Sequence, residues 1–123
     1  MSDVVQLPPL VFAPLLKRIR WGGRRLGTVL GKSLGAESDY AESWEIADQP
    51  DSESRIEAGP LQGISLSELI ATAGSSLLGR HRGLTQFPLL IKFLDANDWL
   101  SLQVHPNDAL ARLYGAGERG KTE

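Results

Sequence analysis

In the stretch LSLQVHPND, residues 100–108, a glutamine and a histidine stand two residues apart among apolar neighbours. Side chains alternate along a strand, so Leu100, Leu102 and Val104 share one face while Ser101, Gln103 and His105 share the other. A carboxamide oxygen from Gln103 and an imidazole nitrogen from His105 can converge on one ion. That donor pair suits a borderline divalent metal such as zinc, manganese or iron. A carboxylate is still needed for charge balance, and Glu123 ends the sequence in a strand-like segment. Polar residues on the wet face of an antiparallel strand give the same Q-x-H pattern. Taken alone, the pair does not choose between the two readings.

Two lysines add to the polar set. Lys92 sits within LLIKFLDA, where an ammonium loses hydration unless a partner or an aqueous cavity meets it. Its plain reading is a lysine snorkelling outward at a sheet edge; its sharper one is a cation in a pocket, waiting for an anionic ligand. Lys121, two residues before Glu123, would share a strand face with it and place a second cation beside the carboxylate. Metal donors with lysines around them suggest a phosphorylated, oxygen-rich small molecule.

These residues need elements to hold them. Leu89 to Ala96 is apolar on both faces except at Lys92, the pattern of a strand buried between two layers. Asn97-Asp98 is expected to turn the chain into a second strand over residues 99–104, completing a hairpin. Pro106 ends that strand, and Asn107 can cap a short helix from Asp108 to Tyr114. In that helix Leu110 and Leu113 are expected to face inward, with Gly115 closing it. Further upstream, Ser43-Trp44-Glu45-Ile46-Ala47 alternates as a strand does, with Trp44 and Ile46 on one face and Glu45 on the other. Gln49 to Ser52 reads as a turn, and Ser54 to Glu57 as a returning strand. Ser65-Leu66-Ser67-Glu68 is a capping box. It opens a helix with Leu66, Leu69, Ile70, Ala73 and Leu77 on one stripe, ending near Gly79. His81, between two arginines, reads as an exposed loop histidine. The RWGGRRLGTVLGK stretch lacks Walker spacing, so its glycines read as tight turns around a short strand at Thr28-Val29-Leu30.

At 123 residues, with a formal net charge of −2, 41% hydrophobic content and no cysteine, the sequence fits one modest globular domain. Disulfides, thiol catalysis and cysteine-based zinc sites are excluded. There is no basic excess for nucleic acid. The apolar amino terminus is broken by Pro8, Pro9 and Pro14, is too short to span a bilayer, and carries its charges in the wrong order for a signal peptide. It reads as a strand-like lead-in. The carboxyl end, Gly120-Lys121-Thr122-Glu123, has neither a helix cap nor a closing strand and reads as stopping in mid-element. A cytoplasmic setting is expected, with no membrane partner, and the oligomeric state is left open.

FPLLIKFLDA, then LSLQVHPND, then GKTE resembles the type I mannose-6-phosphate isomerases, zinc enzymes of the cupin superfamily. WGG, AESWEI and the Leu-Ser-Glu-Leu helix follow that family's amino-terminal order, so the resemblance covers the whole chain. It implies a mainly β fold, part of a cupin jelly-roll barrel with a few short helices. Residues 1–123 would form the amino-terminal metal-binding part of the catalytic domain. It implies Gln103, His105 and Glu123 as zinc ligands, with a fourth ligand, a later histidine, that has no counterpart in this sequence. Lys121 and Lys92 would lie in the sugar-phosphate pocket, and Lys121 is the candidate catalytic residue, for proton transfer or ring opening. Threonine stands in K-T-E where many members have proline, a change that touches neither flanking side chain. The implied reaction interconverts mannose 6-phosphate and fructose 6-phosphate, and the 123-residue chain alone is expected to be nearly inactive. A cupin-like module that binds a phosphosugar or metal without turnover is the alternative.

Overall fold

The computed structural model describes residues 6–115 together with residues 120 and 121. Five strands form two sheets, and three α-helices and one turn of 3-10 helix connect them. The larger sheet has strand β1 (Leu15–Gly23) beside β2 (Tyr40–Ile46), with β5 (Ile91–Leu94) on the far side of β2. Both pairings are antiparallel. Strands β3 (Asp48–Gln49) and β4 (Ser52–Glu53) make a small hairpin across the expected turn.

The sheet is tightest where β1 crosses β2. A Cβ on Gly22 would come within 2.4 Å of the Ala41 nitrogen, so the WGG glycines lie in a strand pressed on its neighbour. The expectation of tight turns there is corrected. Thr28-Val29-Leu30 is likewise not a strand: helix α1 (Arg25–Thr28) covers its start, and Leu26 drops into the core.

Helix α2 (Leu66–Leu78) follows its sequence signals closely. The Ser65 hydroxyl accepts from the Glu68 amide at 3.2 Å, and Glu68 accepts from the Ser65 amide at 2.8 Å. Leu66, Leu69 and Ile70 are buried on the expected stripe. The helix kinks at Ala73 (φ −136°, ψ 26°) and ends at Gly79. Ser67 is also tied to the Glu53 carboxylate, which joins α2 to the small hairpin.

The carboxyl-terminal stretch departs from expectation. β5 pairs with β2, and residues 99–104 form no strand. The hairpin is therefore corrected to an antiparallel pairing with a distant strand. Ile91, Phe93 and Leu94 are about half exposed, so β5 is an edge strand and is not enclosed between two layers by the described residues. Beyond it the chain is pinned by Asn97 and Asp98 amides on the Trp21 carbonyl at 2.9 and 3.0 Å. Residues 99–104 then run extended with Trp99, Leu102 and Val104 outward, Leu102 being 100% exposed. Asn107 caps helix α3 (Asp108–Leu113) by accepting from the Leu110 amide at 3.0 Å. Its inward residue is Ala111; Leu110 and Leu113 are exposed, contrary to the sequence pattern. Among the described residues the sheets do not close into a barrel, and no helix is long and apolar enough to cross a membrane.

Candidate functional site

Lys92 is the best-defined of the predicted site residues. In the β2–β5 register it lies opposite Trp44, and Lys17 on β1 lies opposite Glu42. Cross-strand partners share a face, as do residues two apart on one strand, so Lys17, Glu42, Trp44 and Lys92 form one cluster. The Lys92 ammonium is 3.0 Å from both Glu42 carboxylate oxygens. The Trp44 indole N–H donates to Glu42 Oε2 at 2.6 Å. Both ammoniums lie near the indole ring, Lys17 at 4.5 Å from its centroid and Lys92 at 5.7 Å. Lys17 also donates to the Ser52 hydroxyl at 2.6 Å.

The sequence reading left Lys92 either snorkelling or waiting for an anion. In the structure its ammonium meets a carboxylate, the kind of partner a half-buried lysine needs. Glu42 was missed. The signal was present: strand alternation puts Glu42, two residues before Trp44, on the Trp44 face. Glu45, between Trp44 and Ile46 in sequence, belongs to the opposite side, as alternation predicts. There it pairs with Lys32 at 2.7 Å and accepts from the Ser43 hydroxyl at 2.5 Å, while the Lys32 ammonium lies 5.7 Å from the Phe93 ring.

Gln103 and His105 lie on the extended segment that follows residue 98. Gln103 is exposed and donates through Nε2 to the Ser101 hydroxyl at 3.1 Å, so the two share a face as alternation predicts. That bond uses the amide nitrogen and leaves Oε1, the atom a metal would take, without a partner among the described residues. His105 is half-buried, next to Pro106. Lys121 returns to this place: its amide donates to the Pro106 carbonyl at 2.8 Å. Gly120 approaches so closely that a Cβ there would meet the Asn107 carbonyl carbon at 2.1 Å, and its amide donates to Asp108 Oδ1 at 2.9 Å. A glycine before Lys121 is what that approach requires.

Glu123 lies outside the described residues. Among those described, no group of three or more His, Cys, Asp or Glu side chains converges as a metal cage. The nitrogen and oxygen donors of His105 and Gln103 fit a borderline divalent ion by their chemistry, and such a set would still need a carboxylate for charge balance. No hydrogen bond joins Lys92 to Gln103 or His105 among the described residues. The polar residues therefore form two groups, one on the sheet and one where Lys121 meets Pro106. A cavity of about 330 Å³ elsewhere is lined by Leu10, Phe12, Ile46, Leu66, Leu77 and Phe87, among others, and offers no charged group.

The model of the type I phosphomannose isomerase catalytic domain matches residues 10–120, and the chain belongs to that family. A mannose-6-phosphate isomerase from Streptococcus mutans is 42% identical over 115 residues, covering 94% of this chain and 35% of the relative. The mannose-6-phosphate isomerase ManA of Bacillus subtilis is 40% identical over the same shares. Among solved structures, the mannose 6-phosphate isomerase from Bacillus subtilis superposes with a TM-score of 0.78 at 33% identity, covering 93% of this chain and 35% of that one. A mutant phosphomannose isomerase from Salmonella typhimurium gives 0.67 at 26% identity, over 89% and 28%. The chain thus spans about a third of the length of the curated relatives it matches.

Proposed function

We propose that this chain is the amino-terminal part of a metal-dependent aldose–ketose isomerase that interconverts mannose 6-phosphate and fructose 6-phosphate in the cytoplasm. The observation that carries the reading is the bond from the Lys121 amide to the Pro106 carbonyl, which brings Lys121 beside the residue that follows His105. Gln103, His105 and Glu123 would hold a zinc ion, or another divalent metal, in a fold whose sheet would continue into a cupin-type barrel. Bound there, the ion would supply Lewis-acid polarisation of sugar oxygens and stabilise developing negative charge.

The remaining work falls to protein side chains. Isomerisation moves a proton between adjacent carbons, so a general base must reach a carbon-bound hydrogen. Lys121, beside the segment that carries the donors, is the candidate for proton transfer or ring opening. Lys92 would meet the phosphate group as a point charge with rotatable donors. The Trp44 ring would shield one side of that pocket from water.

Because the chain spans about a third of the relatives' length, turnover is expected of a protein of their length and very little from these 123 residues by themselves. The test is isomerase turnover of the full-length gene product, as purified, after chelation and after zinc return. Activity lost on chelation and regained with zinc supports the reading. Activity indifferent to chelation removes the metal, and no turnover in any state removes the isomerase.

A further inference from the structure

We propose that Glu42 is the resident counter-ion of an anion site built around Trp44, and that Lys92 exchanges the Glu42 carboxylate for the phosphate of an incoming ligand. Lys17, on the other side of the cluster, is the second cation of that site. The inference deepens the sugar-phosphate reading of Lys92 and rests on it.

Four features of the cluster support exchange over a fixed structural pair. Glu42 is buried, and its oxygens accept from both Lys92 and the Trp44 indole. If Lys92 swings away, the carboxylate keeps the indole N–H, and the Lys17 ammonium stays over the same indole ring. The Lys92 side chain is 28% exposed, against 11% for Glu42, so the lysine is the member a solute can reach. Lys17 has no carboxylate within ion-pair distance among the described residues; it has the Ser52 hydroxyl and the indole face. Among the side chains of this cluster, two ammoniums face one carboxylate, an excess of positive charge that favours an anion.

The pair on the opposite face is built differently. Lys32 and Glu45 are 18% and 24% exposed, and Glu45 takes its second bond from Ser43. Among the described residues this pair is one ammonium with one carboxylate, and it serves as an internal control.

Inorganic phosphate is the probe, titrated into the 123-residue chain and followed by calorimetry. Glu42→Gln keeps an acceptor for the indole and removes the competing charge. Loss of one like charge several ångströms from the bound anion should tighten phosphate binding by at least about threefold. A purely structural role for Glu42 would weaken binding or leave it alone. Lys17→Met should weaken it, and Lys32→Met should not. Equal or weaker binding by Glu42→Gln, or no saturable binding by either form, overturns the exchange.

If Glu42→Gln does not fold, the unaltered chain still decides. Phosphate must move the Trp44 indole N–H resonance, assigned by its loss in Trp44→Phe, and an unmoved resonance overturns the proposal. Phosphate binding requires no turnover. Tightened binding alongside an inactive full-length product would therefore remove the isomerase and leave the exchange standing, whereas an active enzyme with unchanged binding would remove the exchange alone.

Discussion

Helix α2 and residues 99–114 each carry an apolar face in sequence, helical in the first and at its start alternating in the second, and the two faces have opposite fates in the structure. In α2 the stripe finds cover, and Leu69 is 3% exposed. In the later stretch Leu102, Val104 and Leu113 meet nothing among the described residues, and Val104 is 93% exposed. Periodicity reports which side chains would share a face; it does not report whether a partner for that face lies within reach. Contiguous exposed apolar surface of this kind marks an interaction face.

The largest expected effects test this contrast directly. Leu69→Ala should cost about 2–5 kcal/mol in chemical denaturation, the range for emptying a packed site. Leu102→Ala should stay within about 0.5 kcal/mol in the same experiment, as surface substitutions do. A Leu102→Ala cost close to that of Leu69→Ala would mean that residues 99–104 are packed in solution, and the contrast would fail.

A middle-sized effect belongs to the half-buried pair on the second face of β2. Lys32→Met leaves the Glu45 carboxylate with only the Ser43 hydroxyl, and should cost about 1–3 kcal/mol. Stability unchanged in Lys32→Met would show that water replaces the ammonium there, and that this face is as open as residues 99–104.

The capping box sets a smaller step. Ser65→Ala removes the hydroxyl that the Glu68 amide reaches and should cost about 1 kcal/mol, seen as a lower midpoint in denaturant. The acid response of the same corner is smaller again. Hydrogen bonds from Ser67 hold the Glu53 carboxyl below the ordinary value of 4.5, and the Ser65 amide does the same for Glu68. A carboxylate depressed in the folded chain stabilises it above the unfolded value and loses that contribution as pH falls through the folded one. Stability should therefore be level above about pH 5 and fall below about pH 4.5. In Glu53→Gln that fall should be shallower; a slope unchanged from the parent would place the acid response elsewhere.

What was legible in the sequence is what depends on near neighbours. The Ser65–Glu68 box, the Asn107 cap, the turn after Gln49 and the strand around Trp44 each rest on contacts a few residues long, and each is found. The β2–β5 pairing joins residues about fifty apart, and a hairpin with the adjacent segment looked equally good by local rules. The same distance concealed Glu42 as the partner of Lys92, since a lone buried lysine shows only that some partner is needed. On the site, strand alternation gave the shared face of Ser101 and Gln103, although the backbone there makes no ladder. No periodicity predicts the return of Lys121 to Pro106.

The central claim is that Gln103 and His105 are metal donors rather than solvent-facing polar residues. Metal analysis of the full-length gene product, with Gln103→Ala and His105→Ala beside it, tests that claim most directly. The account predicts one divalent ion per chain in the parent and a clear loss of metal in both variants, with folding retained by circular dichroism. A parent without stoichiometric metal, or variants that hold it as well as the parent, would contradict it.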